Sequence, residues 1–235
     1  MLERMLRLVT ASHQRFDKEL PTLLAASRER GARLYCTAGC SSCCTLYVQA
    51  TLAEAVVIAA QLGPVQWTAV ENYLVRLRSI MAQSLPPKEF LRRHRSEAGP
   101  CPFLNTAGQC EIYPHRPLAC RSLYSTRNSA WCGVDFGELH PAERQAFMSS
   151  LDQSLVAYPT HYLAAPQDLA RELELELEAA VLATSGYSMS GNLPLLVFLC
   201  AELAIGEAIL PPLPRLREFL SKEGWDHPWI YRLTT

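Results

Sequence analysis

The chain has 235 residues, of which 49% are hydrophobic and 19% charged, and its formal net charge is −1. A chain of this length buries a core large enough to fold without crosslinks, so the nine cysteines are not explained as those of a small disulfide scaffold. The balanced charge, with no basic block, gives no electrostatic footprint for nucleic acid, and we expect no such partner.

The first twenty residues predict a helix. Their apolar residues share one helical face: Leu2, Met5, Leu6 and Val9. Charged residues interrupt this stretch, which argues against a signal peptide and leads us to expect a cytoplasmic location. In a reducing compartment, closely spaced cysteines indicate metal binding or catalysis before they indicate disulfides.

Residues 36–44, "CTAGCSSCC", place four thiols close together: Cys36, Cys40, Cys43 and Cys44. The spacing C-x3-C-x2-C lets several sulfur atoms reach one metal ion. Cys43 and Cys44 are adjacent, and neighbouring side chains usually diverge, so one of the two can face a second metal or the core.

Three helices are predicted after this cluster. Thr51 and Glu54 have capping-box spacing before an apolar run that stops at Gly63-Pro64. A second helix is predicted over 67–83 from four apolar residues on one face: Val70, Leu74, Leu77 and Met81. The segment "PPKEFLRRH" adds a short third helix.

Residues 99–135 show no sustained period and are interrupted by Pro, Gly and Asn. They contain four further cysteines: Cys101, Cys110, Cys120 and Cys132. An irregular segment of this length inside a compact chain is typically functional or disordered, and the cysteines favour a functional one.

The last hundred residues again predict helices. "RELELELEAAVLA" alternates like a strand, but its residues are strong helix formers and Leu173, Leu177 and Val181 share a helical face. The apolar stretch 193–210 is interrupted by Glu202 and Glu207 and is short for a bilayer, so we expect a buried helix and no membrane partner. Cys200, within this stretch, is interpreted as core packing.

The predicted fold is mainly α, with irregular cysteine-rich metal-binding loops packed on a helical scaffold. We expect residues 1–235 to form a single domain. Within it, residues 36–132 form the cysteine-cluster metal-binding region and residues 136–235 a helical C-terminal region.

Eight of the thiols fall into two groups of four, which matches the four ligands of tetrahedral zinc or of an iron–sulfur cluster. The alternative for Cys44 and for Cys132 is a small buried thiol without a ligand role.

The motifs "CTAGCSSCC", "CPFL" and "CEIYPHRPLACR" occur in this order, and over residues 36–125 the chain resembles the YkgJ cysteine-cluster family, described as a zinc- or iron-chelating domain. The resemblance implies a chelated metal centre with these ligands: Cys36, Cys40, Cys43, Cys44, Cys101, Cys110 and Cys120. Cys132 is added as an eighth ligand by count and proximity alone. The chain is also distantly similar to flagellin lysine N-methylase, which implies an iron–sulfur cluster acting with S-adenosylmethionine.

Arg116 and Arg121 flank Cys120 and can offset the negative charge of a thiolate centre from outside its ligand shell, although ordinary surface arginines are the alternative. Pro114 and Pro117 fix the chain through "YPHRP" and so present Cys120 rigidly.

Other side chains near the motifs have weaker signals. His115 lies in the same loop, but enough thiols are present without it. Three further histidines show no paired spacing and are interpreted as ordinary: His94, His140 and His161. Phe103 and Tyr113 are expected to pack the loop.

The leading hypothesis is a metal-chelating protein whose centre is structural, a store or a carrier, and which holds an iron–sulfur cluster. Iron is favoured over zinc because the cysteines are unevenly spaced, with a 56-residue gap between Cys44 and Cys101, as in ferredoxin-type ligation. The alternatives are a structural zinc protein and an iron–sulfur, S-adenosylmethionine-dependent methyltransferase-like enzyme. A thiol oxidoreductase would need a C-x2-C beside a βαβ pattern, which is not found.

Overall fold

The computed structural model describes residues 2–37, 39–203, 205 and 210–235. The helices in chain order are α1 Leu2–Glu29, α2 Leu52–Ala59, α3 Pro64–Met81, α4 Pro87–Arg93, α5 Leu118–Arg121, α6 Ala130–Gly133, α7 Pro141–Ser149, α8 Ala164–Ser185, α9 Leu193–Glu202 and α10 Leu213–Lys222. The strands are β1 Gln49–Thr51, β2 Ser188–Asn192 and β3 Tyr231–Thr234. The fold is mainly α, as predicted, and the first cysteines lie in loops and turns.

Helices α2 and α9 form the centre of the core. Both are apolar on nearly all sides, which is typical of a helix surrounded by other elements. Amphipathic helices α1, α3 and α8 cover them, and the predicted face of α8 is fully buried through Leu173, Leu177 and Val181. Cys200 of α9 is 2% exposed within this core, which confirms its interpretation as a packing residue.

A small antiparallel sheet joins distant parts of the chain in the order β1-β2-β3. Ala50 pairs with Gly191, and Gly191 also pairs with Tyr231. A Cβ atom at Gly191 would collide with the backbone of β3, so a glycine is required at this crossing. The sequence analysis did not predict the sheet, because strands of this length carry no readable alternation.

The predicted helices are confirmed, with shifted ends. The Thr51–Glu54 capping box is present, with the Glu54 carboxylate accepting from Thr51 N at 2.9 Å. Helix α3 begins at Pro64, earlier than predicted, because proline is favourable at the first helical position. Helices α7 and α10 were not predicted. Glu207, which was expected to interrupt the 193–210 helix, lies outside the described residues.

Glu54 is fully buried and holds three elements together. Its carboxylate accepts from Leu118 N, at the start of α5, at 2.8 Å and lies 3.6 Å from His13 Nε2 of α1. Burial opposes ionisation, but the contacts with His13, Leu118 and Thr51 outweigh it and lower the pKa of Glu54. The α5 helix, which carries Cys120, is thereby anchored to the core.

A second, smaller apolar cluster lies beside the main core. It consists of four buried side chains: Phe147, Leu151, Leu155 and Val156. The ring of Phe147 packs against that of Trp131, with 4.3 Å between the ring centroids. This cluster covers the segment that carries Cys132.

Within the described part of the chain, no helix has the length and apolar character needed to cross a membrane. The assignment of residues 1–235 to one domain stays a prediction.

Candidate metal centre

The first cysteine motif folds into consecutive tight turns. Cys40 N donates to Thr37 O at 3.2 Å, Cys44 N to Ser41 O at 2.9 Å and Leu46 N to Cys43 O at 3.0 Å. Gly39 has a φ of +82°, which favours glycine. The turns expose Cys36 and Cys40 and leave Cys43 and Cys44 partly buried.

The second group of cysteines is brought against these turns by backbone pairing. Cys101 N donates to Cys44 O at 2.8 Å, which fixes the two motifs side by side. Leu104 and Cys110 form an isolated β-bridge around an Asn105 turn, whose side chain accepts from Gln109 N at 2.9 Å. Phe103 is fully buried beneath this turn, which confirms its packing role.

The loop before Cys120 is held by Arg121. Its guanidinium donates to Arg116 O at 3.0 Å and to Pro114 O, and forms a 3.1 Å ion pair with Asp17 of α1. The arginine is nearly buried, so these bonds fix the "YPHRP" loop to the helical core. Pro117 precedes α5 and sets its start, as its predicted role requires.

The eight predicted ligands lie around two adjoining cavities. The first cavity, of about 350 Å³, is lined by Cys40, Cys43, Cys44, Cys101, Cys110 and Cys120. The second cavity, of about 230 Å³, is lined by Cys36, Cys40, Cys43, Cys120 and Cys132. Cys40, Cys43 and Cys120 therefore face both cavities.

The thiols lie near one another, but they are not arranged as the ligands of one metal ion. Among the described residues, no group of three or more His, Cys, Asp or Glu side chains is already arranged to hold a metal ion. The donor set nevertheless fits the chemistry: cysteine sulfur is a soft donor suited to zinc and to iron–sulfur clusters. The eight ligands stay a prediction.

The surroundings of several of these thiols favour the protonated form. Burial raises the pKa of Cys101 to about 12 and that of Cys120 well above its ordinary range. The adjacent Cys44 thiol, followed by burial, raises the pKa of Cys43. Deprotonation of such a group requires a nearby cation, because burial penalises charge.

Arg116 supplies positive charge between the cavities, both of which it lines. Its charge partly counters the upward pKa shifts of Cys43 and Cys110. Its Nε is buried without a hydrogen-bond partner among the described residues, and its guanidinium stacks on Tyr113 at 4.2 Å. Tyr113 is 54% exposed and packs on its loop from the solvent side, through this contact with Arg116.

His161, which the sequence analysis interpreted as ordinary, lies against Cys132. Its Nε2 is 3.4 Å from Cys132 Sγ, and both residues are buried. No spacing in the sequence links the two, because they meet through pairing between distant segments.

The other histidines lie elsewhere: His94 contacts Tyr73 Oη at 2.6 Å in the core, and His140 caps α7. His115 lines neither cavity.

A larger cavity of about 690 Å³ adjoins the cysteines and shares Val48 and Leu123 with the first cavity. Tyr47, Trp229 and the half-buried Glu174 form part of its wall. Burial, followed by the charge of Glu54, raises the pKa of Glu174 to about 7. The sequence analysis gave no signal for this carboxyl group.

Comparison with known proteins identifies the cysteine segment. Residues 35–134 match a family model described as "CxxCxxCC: Putative zinc- or iron-chelating domain". The match covers less than half of the chain, includes all eight predicted ligands and extends past the 36–125 segment to Cys132. The searches of curated proteins and of solved structures found no match to the chain. The resemblance to the flagellin methylase stays a prediction.

Proposed function

We propose that this chain, through its zinc- or iron-chelating domain at residues 35–134, is a cytoplasmic metal-binding protein that holds an iron–sulfur cluster. The proposed ligands are Cys36, Cys40, Cys43, Cys44, Cys101, Cys110, Cys120 and Cys132. The observation that carries the proposal is that three separate segments of the chain deliver these thiols to two adjoining cavities.

Each part of the domain has a role in this proposal. The turns that carry Cys40, Cys43 and Cys44 and the turn at Asn105 bring their sulfur atoms to the same cavity. Arg116 offsets part of the negative charge that several thiolates create together. Arg121 also lines the second cavity, but its guanidinium is bonded to the loop and to Asp17, so it holds the loop and not the metal. An iron–sulfur cluster bound here would supply one-electron redox chemistry or a Lewis-acidic iron.

The alternative metal is zinc, which four thiolates also bind. The ligand set alone does not select between the two, so the metal must be measured. Protein produced with iron and purified without oxygen is expected to be brown, with acid-labile sulfide. Colourless protein with stoichiometric zinc would show that the site holds structural zinc and not a cluster. Protein that binds neither metal would overturn the proposal.

Serine substitutions test the ligands one at a time. Cys40→Ser is expected to lose bound metal, since Cys40 faces both cavities. Cys200→Ser is the matched control, because that thiol is 2% exposed among apolar side chains of the core. Metal loss in the Cys200 variant together with full retention in the Cys40 variant would contradict the assignment.

A second candidate function is catalysis, as in an S-adenosylmethionine-dependent methyltransferase-like enzyme. The cavity of about 690 Å³ favours it, because a ligand there would lie beside the cysteine centre and next to Glu174. A carboxyl group with a pKa of about 7 can accept a proton near neutral pH. Binding of S-adenosylmethionine measured by calorimetry, and its loss in Tyr47→Ala, would support this candidate; no binding to the metal-loaded protein would reject it.

A further inference from the structure

We propose that His161 is a metal ligand that joins Cys132 and Cys36 in a mixed imidazole–thiolate site at the edge of the second cavity. His161 does not itself line this cavity and reaches the site through its contact with Cys132. The inference rests on the proposed metal-binding function but goes beyond it. His161 lies outside the matched residues 35–134, so the family comparison does not point to it.

The spacing of the first two ligands is already that of a coordinated pair. Metal–sulfur bonds of about 2.3 Å and metal–nitrogen bonds of about 2.0–2.1 Å place tetrahedral neighbours about 3.5 Å apart. Cys132 Sγ and His161 Nε2 are 3.4 Å apart. The other thiols would have to move towards this pair to complete a site around it.

Backbone pairing holds the third ligand nearby. Tyr35 N donates to Ser125 O at 3.0 Å, and Thr126 N donates to His161 O at 2.9 Å, so three extended segments lie side by side. Ser125 N also donates to Cys36 Sγ at 3.2 Å, the kind of hydrogen bond that orients a ligating sulfur. Cys36 and Cys132 both line the second cavity.

Tyr162 gives an independent indication of a bound group. It is 7% exposed and lines the second cavity, yet its hydroxyl is buried without a hydrogen-bond partner among the described residues. A hydroxyl buried in this way is unfavourable, because it has lost its hydrogen bonds to water. A Cys132 thiolate held by a metal would accept a hydrogen bond from this hydroxyl and so satisfy it.

The nitrogen donor indicates the class of metal. One imidazole with thiolates suits borderline divalent ions such as Zn²⁺, Co²⁺ and Fe²⁺. Cys40 also lines this cavity and offers a fourth donor. The first cavity keeps thiols that line it alone, namely Cys44, Cys101 and Cys110, so the two sites differ in composition.

The binding step balances simply. Cys36 and Cys132 each release a thiol proton to solvent and donate a sulfur lone pair. His161 donates the lone pair of Nε2 and keeps its ring proton on Nδ1. No electron is transferred, and no co-reactant is needed.

The test loads the full-length metal-free protein with Co²⁺ alone, without oxygen, and records bound metal, affinity and the visible spectrum. His161→Gln is expected to lose one cobalt site or to weaken it by at least about 100-fold, since even outer partners contribute about 10- to 100-fold. His161→Cys is expected to restore binding, with stronger sulfur-to-cobalt absorption. His94→Gln, which changes another buried histidine, is expected to match the wild type.

The outcomes separate the two proposals. Wild-type protein that binds no cobalt would overturn the present inference, whereas the metal-binding function is overturned only by protein that binds neither an iron–sulfur cluster nor zinc. Wild-type binding with an unchanged site in folded His161→Gln would overturn only the present inference and leave a hydrogen-bonded Cys132–His161 pair. X-ray absorption at cobalt in the wild type decides without a variant: imidazole scattering supports the ligand, and sulfur-only scattering rejects it.

Discussion

Cys200 is buried and Cys120 is partly buried, and the surroundings of the two thiols differ. Cys200 packs among apolar side chains of the core, and burial alone raises the pKa of its thiol. Cys120 faces two cavities, and after burial its pKa is raised by the neighbouring Cys101 and Cys43. The apolar neighbours of Cys200 leave no place for a ligand. The neighbours of Cys120 include other thiols, which would repel one another once ionised.

The regions around these two residues are therefore stabilised in different ways. The core contains a continuous set of buried helices, and hydrophobic burial maintains it. Residues 99–135 depend on short turns, on a few buried side chains such as Phe103, and on polar anchors from Glu54 and Arg121. We expect a metal to supply the remaining stability of this segment.

Metal removal is the strongest way to separate the two regions. The binding free energy of structural zinc is about 10–16 kcal/mol, and in segments without their own core it becomes folding free energy. Chelation of the metal-loaded protein is expected to open residues 99–135 to trypsin at Arg121 and Arg127, while α8 stays resistant. Mass spectrometry locates the cuts, and unchanged cleavage after complete metal removal would contradict the comparison.

The converse experiment creates a cavity in the core by substitution. Leu177 of α8 is 2% exposed, and Leu177→Ala is expected to lower the free energy of unfolding by about 2–5 kcal/mol. Urea denaturation followed by circular dichroism measures this loss. Metal content of the folded variant should stay at the wild-type value, and a proportional loss of metal would show that the regions are not independent.

Glu54→Gln tests the connection between the regions. Loss of the charged acceptor for Leu118 N is expected to cost about 1.5–3 kcal/mol. The pKa of Glu54 is lowered on folding, so its stabilisation is present above its unfolded pKa and is lost as pH falls through the folded value. Unfolding measured from neutral to acidic pH should therefore show a slope in the wild type that is reduced in the variant.

Glu54→Asp is the matched control, because it keeps the charge on a shorter side chain and should keep the pH slope. An identical pH dependence in the Gln variant would exclude Glu54 as its source.

Arg121→Lys is expected to have the smallest effect on stability. Its partner Asp17 is 57% exposed, so the ion pair contributes less than about 1 kcal/mol. Lysine keeps the charge but donates less well to two carbonyl groups at once. Metal affinity is expected to fall by about tenfold, as for other outer-shell changes. An unchanged affinity would indicate that the loop is held without this residue.

Much of the helical scaffold could be predicted because its signals are local. The capping box at Thr51 and Glu54 lies within one turn, and the buried face of α8 repeats within a single segment. The sheet could not be predicted in this way, since β1, β2 and β3 come from distant parts of the chain and each is only three to five residues long. Their pairing depends on tertiary contacts that no window of sequence contains.

The candidate site was also predictable only where its signals are local. Spacing and family resemblance were enough to select the cysteines, because closely spaced ligands are a local property. The division into two cavities and the position of His161 depend on pairing between residues 125–126 and 161–162. Tyr113 packs on its own loop by stacking on Arg116, a partner that the sequence alone did not specify.

The unequal exposure of the cysteines determines how a bound metal would exchange. Cys36 and Cys40 are exposed, whereas Cys132 is buried. A thiol from an acceptor molecule can displace the outer sulfur atoms one at a time, while the buried ligands keep hold of the metal. Exchange by this route is associative, so its rate rises with acceptor concentration and does not require the domain to unfold.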